Sequence, residues 1–214
     1  MLSWFGRRPA APSPEQLRVL DALAGYPPYA PPVWKSYDQS DVSANEDYVA
    51  YFFNQQDRRI EALRSFLGKL QVVLGFEDQK IKTVSAWCAS HADLLVDGLQ
   101  HQESEALWTA YNHFNTPWVE SLVGLNVVFD LGVFMGSCII ARNPKLKWLP
   151  CVALEPMSVA SHFIHGQKGG RVFDPIKWTY TECKNVHSAR FNAERWHEDR
   201  LYGTIDALGS LRRT

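Results

Sequence analysis

The sequence predicts an α+β fold that is mostly helical: an N-terminal helical bundle, a small antiparallel sheet, and a closing C-terminal helix. Three observations lead there. Between Ser121 and Ala141 the chain carries one carboxylate, Asp130, and no lysine or arginine. A helix with apolar residues on nearly every face must be enclosed by protein. Upstream of it, apolar residues recur at helical spacing; downstream of Asn143-Pro144, short runs bounded by Gly, Pro and Asp read as strands.

The chain has 214 residues, 46% hydrophobic and 21% charged, enough for one large domain and far from the composition of a disordered protein. Its net charge of −1 hides an asymmetry. Residues 1–130 hold 10 basic and 16 acidic residues, near −6; residues 131–214 hold 12 and 7, near +5. The preferred reading is solvated faces that happen to differ in sign; the alternative is a dipole that steers a charged partner. It lacks the concentrated basic stripe of a nucleic-acid binder, so no nucleic acid is expected. Cys88, Cys138, Cys151 and Cys183 have no close pairing, and Cys88 and Cys138, in apolar surroundings on expected helices, read as reduced core thiols of a cytoplasmic protein. No apolar run follows Arg7 and Arg8, so no secretory signal is expected. Residues 121–141 have the length of a bilayer span. Asn126 and Asp130 would fall near its middle, where a carboxylate is costly, and no second such segment exists. The reading is a buried helix, without a membrane.

Residues 1–42 are expected to be a tail, a short helix and a connector. Ser13-Pro14-Glu15 starts the helix, Leu17, Leu20 and Leu23 mark it, and Gly25 stops it. The run YPPYAPPVWKSYD (26–38) reads as an extended connector whose aromatics tuck against the body. Residues 43–214 form a single α+β domain, helical over 43–142, with the sheet and closing helix in 143–214. Ser43 to Glu46 is a capping box heading a long helix with Tyr48, Tyr51, Phe52, Ile60, Leu63, Phe66, Leu67 and Leu70 on one face. Further helices are expected over Asp78–Gly98 and Glu103–Phe114, and Thr116-Pro117 opens the apolar one. Trp148–Leu154, Ser161–Ile164 and Val172-Phe173 read as strands, and Ile176–Tyr180 as an extension of the sheet. A final amphipathic helix is expected over Ser188–Leu211.

Chemistry is sparsely signalled. His162 and His165 form H-x-x-H, but residues three apart on a strand point to opposite faces, so no metal site and no cofactor is expected. There is no nucleophile elbow and no Gly-rich phosphate loop. Gln167 to Arg171 is a basic turn. A carboxylate inside an apolar helix must be paired, hydrogen-bonded or neutral. Asp130 is therefore expected to pair with a basic residue such as Arg142 or one from the final helix. The alternative is a small hydrolase in which Asp130 acts as general acid or base with His162 or His165. The leading reading is a non-enzymatic protein that binds a partner protein, with Trp34, Trp108, Trp118, Trp178 and Arg171 as its contact residues, because aromatics and arginine anchor interfaces.

The segment VVFDLGVFMGSCIIARNPKLKWLP followed by HFIHGQKGGRVFDPIKW resembles a pattern in small bacterial proteins of unassigned function. Asp130, Leu131, Gly132, Gly136, Trp148, Gly169, Gly170, Asp174 and Pro175 carry it, over about residues 125–180; Cys138 stands where the pattern often has an acidic residue. Several such proteins resemble immunity or accessory proteins encoded beside secreted toxins. The resemblance implies an immunity-type inhibitor with a toxin as partner, and it names no catalytic residue.

Overall fold

A computed structural model describes residues 12–31, 42–96, 123–151, 161–192 and 197–210. Among the described residues, six α-helices and a two-stranded antiparallel sheet give the mostly helical α+β fold that the sequence predicts. We label them α1 (Pro14–Leu23), α2 (Val42–Lys69), α3 (Asp78–His91), α4 (Val123–Arg142), β1 (Lys147–Cys151), β2 (Ser161–His165), α5 (Pro175–Asn192) and α6 (Arg200–Gly209). A 3₁₀ turn over Ala92–Leu95 continues α3. The helix expected over Glu103–Phe114 lies outside the described residues.

The apolar helix α4 is the centre, with α2, α5 and α6 packed around it. Among the described residues it alone is long and apolar enough to cross a membrane, yet 83% of its apolar window is buried within the protein. Two of its glycines set the approach of its neighbours. A Cβ on Gly132 would lie 2.5 Å from the Ile176 Cα of α5, and one on Gly136 would collide with the Trp148 ring. These contacts hold α5 and β1 against one side of α4. The connector closes another side, with Tyr26 and Tyr29 both buried in the core.

The sheet pairs Lys147 with His165, Leu149 with Phe163 and Cys151 with Ser161. Ile164 exchanges both backbone hydrogen bonds with Phe173. Its N–H and C=O therefore point away from β1, as do those of His162, while Trp148 and Pro150 turn theirs to the free edge of β1. Pro150 thus removes no ladder bond, and it blocks strand addition at that edge.

Two expectations downstream of β2 are corrected. Ile176–Tyr180 does not extend the sheet; it lies in α5. Asp174 accepts from the Lys177 N–H at 2.9 Å and Pro175 occupies the first helical position, so Asp-Pro is a helix start and not only a turn. The single final helix is two, α5 ending at Asn192 and α6 starting at Arg200. Ser85 of α3 caps the start of α6 from outside: its Oγ accepts from the N–H groups of Leu201 (3.1 Å) and Tyr202 (3.2 Å).

Replacing Gly136 by Ala should force the Trp148 ring from its place. A loss of about 1–3 kcal/mol is expected, as for an overpacked core. Urea unfolding of the variant against wild type measures it, and an unchanged midpoint contradicts this packing.

Candidate functional site: a buried carboxylate and a tyrosine relay

Asp130 faces α2 from the middle of α4 and has no solvent exposure. Arg59 of α2 grips it with both arms of its guanidinium, Nε to Oδ1 at 2.7 Å and one terminal nitrogen to Oδ2 at 2.8 Å. The Tyr26 hydroxyl donates to Oδ2 at 2.5 Å. The remaining arm of Arg59 donates to the Pro28 carbonyl at 3.1 Å. Burial pushes the Asp130 carboxyl up to about 6, while Arg59 and the Tyr26 hydrogen bond hold it down against that. Burial alone would lower Arg59, but the adjacent carboxylate more than reverses this and raises it. At neutral pH the pair is ionised.

The partner of Asp130 is therefore Arg59. Arg142, the candidate from sequence, binds Asp78 of α3 and Asp206 of α6 instead. Arg59 is fixed by its place on the inward stripe of α2, seven residues after Phe52 and four before Leu63. A basic residue on an apolar stripe is the signal that sequence reasoning missed.

A second polar group runs beside the first. Tyr29 donates its backbone N–H to Asn126 Oδ1 at 2.7 Å, and its ring stacks on Phe129 with centroids 4.0 Å apart. Its hydroxyl donates to the Tyr48 hydroxyl at 3.3 Å, and Tyr48 in turn meets His162 Nε2. Burial pushes His162 down to about 3, so its imidazole is neutral at pH 7. Phe52 and Phe129 flank the ring.

The other sequence candidates lie apart. His165 is exposed on the opposite face of β2, so the two histidines cannot share a ligand. Arg171 is exposed, and Trp178 is half-buried with its ring 6.5 Å from that of Phe173. Trp34, Trp108 and Trp118 lie outside the described residues. Among the described residues no three His, Cys, Asp or Glu side chains are placed to hold a metal ion. Burial pushes Cys88 and Cys138 up to about 12, so neither is a nucleophilic thiolate at neutral pH. Comparison of the chain with protein-family models, with curated proteins and with solved structures gives no match.

Chemically, the arrangement fixes structure. A general acid or base must come within hydrogen-bond reach of its substrate. Asp130 and His162 are closed off by Tyr26, Tyr29, Tyr48 and Phe129, and among the described residues no hydrogen bond joins them. Tyr26 does line a surface groove of about 470 Å³ with Arg58, Phe66 and Lys69, but its hydroxyl is turned inward to Asp130.

Asp130→Asn leaves the Arg59 cation buried without its counter-charge and should cost about 3–5 kcal/mol. Asp130→Leu combined with Arg59→Leu and Tyr26→Phe should recover most of that, because no buried polar group is then orphaned. Denaturant midpoints of both variants decide it.

The two groups also set opposite pH dependences. His162, lowered from its ordinary 6.5 to about 3, contributes stability that is present above pH 6.5 and lost as pH falls through that range. Asp130, raised from 3.8 to about 6, contributes stability present below 3.8 and lost as pH rises through 6. The stability difference between wild type and His162→Gln should therefore shrink by about 2 kcal/mol between pH 7.5 and 5. Thermal or urea unfolding of the two proteins at both pH values reads it; a pH-independent difference means that His162 is not held neutral.

Proposed function

We propose that this chain is a non-enzymatic protein–protein interaction protein of the cytoplasm. The observation that carries the reading is a division of labour among its reactive side chains. Asp130, Arg59 and Tyr26 are buried and bound in one group and Tyr48 and His162 in another, whereas apolar and basic side chains stand exposed on the sheet. An immunity-type inhibitor that binds a secreted toxin is its specific form, and the sequence resemblance alone supports that refinement. The contrast with the small-hydrolase alternative is one of access: its acid–base residues would have to reach a substrate through closed aromatic packing.

The tagged chain, used to capture proteins from lysate of its own source organism, should retain one stoichiometric partner through moderate salt. Recovery of the chain alone, together with hydrolysis of a simple ester or amide that is lost in His162→Gln, would overturn the reading in favour of the enzyme.

A further inference from the structure

The sheet covers the core on one face only. Trp148, Pro150, His162 and Ile164 turn inward, while Lys147, Leu149 and Cys151 of β1 share the outer face with His165 and Phe163 of β2. The Ile164–Phe173 bridge places Val172 beside His165 on that same outer face. Leu149 and Val172 are each 50% exposed. Half-buried Phe163 lies between them in the register, so the three form one apolar strip.

Among the described residues the charges next to this face in sequence are Lys145, Lys147 and Arg171, against Asp174. Asp174 is turned inward, accepting from the backbone N–H groups of His162 and Lys177. Among the described residues Lys145, Lys147 and Arg171 hold no carboxylate, whereas Arg64, Lys80, Arg142 and Arg200 each do. The free edge of β1 is blocked by Pro150 and the far edge of β2 is taken by Phe173. A partner therefore reaches this sheet over its face and not by adding a strand.

We propose that the outer face of the β1–β2 sheet is the docking surface for an acidic segment of a partner protein. One or two apolar side chains of that segment lie over Leu149, Phe163 and Val172, and its carboxylates pair with Lys147 and Arg171. The proposal rests on the interaction reading above and gives it a place and a partner chemistry. Unpaired cations of one sign attract an acidic partner and reject a basic one.

The test uses the full chain, isotope-labelled for NMR, and two synthetic peptides with the same leucine positions, one carrying Glu and the other Lys elsewhere. The Glu peptide should bind saturably, moving the amide signals of Leu149, Phe163, Arg171 and Val172, and should weaken as salt is raised. Lys147→Glu with Arg171→Glu, both exposed and outside the core, should weaken it by about tenfold. Equal shifts with the Lys peptide, shifts centred elsewhere, no shifts, or a concentration-dependent dimer that buries this face would each overturn the proposal. A lysate partner that still binds the double variant would sink this surface and leave the interaction reading standing. Peptide docking without any captured partner would do the reverse.

Discussion

The structure depends on how one charge is accommodated. Asp130 sits in the middle of an apolar helix with no exposure to solvent. Ionised and alone, it would cost several kcal/mol. Arg59 answers it from α2 and Tyr26 answers it from the connector, at 2.7 and 2.5 Å. Three segments distant in sequence are thereby pinned at one point, and each is constrained in direction as well as distance by the planar guanidinium. The ion pair adds a directional contact at the height where α2 meets α4.

The same helix is built differently on its other side. Asn126 and Asp130, one turn apart, face α2 and the connector; Gly132 and Gly136, also one turn apart, face α5 and Trp148. Residues 130 and 132 are about 200° apart around a helix, so polar attachment and close packing occupy opposite sides. This explains how so apolar a helix can be central to a globular fold. Its lateral contacts are specified twice, by hydrogen bonds on one side and by the absence of side chains on the other. Both specifications keep its neighbours in place where generic apolar contact would not.

Much of this was legible in the sequence, and the rest fails for identifiable reasons. The enclosure of 123–142 and the need of Asp130 for a partner follow from composition, because burial and charge are local facts. The opposite placement of His162 and His165 follows from strand alternation. Arg59 was missed as the partner because a reading of apolar spacing passes over the one charged residue on the stripe. Ile176–Tyr180 was misread because five residues are too few to separate period 2 from period 3.6, and Asp-Pro signals a turn and a helix start equally well. The periodicity becomes plain only when Ile176, Thr179, Tyr180 and Cys183 are taken together as the buried side of α5. The cap at the start of α6 comes from Ser85, more than a hundred residues earlier, and no local signal carries it.

The charge asymmetry of the chain acquires a location through this architecture. Toward the core, Arg59 is matched to its carboxylate, and at the surface Arg142 bridges α3 and α6 through two more. Such pairs cancel in the far field. On and beside the outer sheet face, Lys147, Lys145 and Arg171 hold no carboxylate among the described residues, so the positive charge of this part stands next to exposed Leu149 and Val172. Isolated surface cations are held apart from apolar groups at no cost to folding, and an apolar group on an outer sheet face contributes little to stability. Neither feature is explained by the fold itself. The acidic partner proposed above would use both, with apolar contact at the centre and negative charge at the rim, where desolvation by the centre strengthens the ion pairs around it.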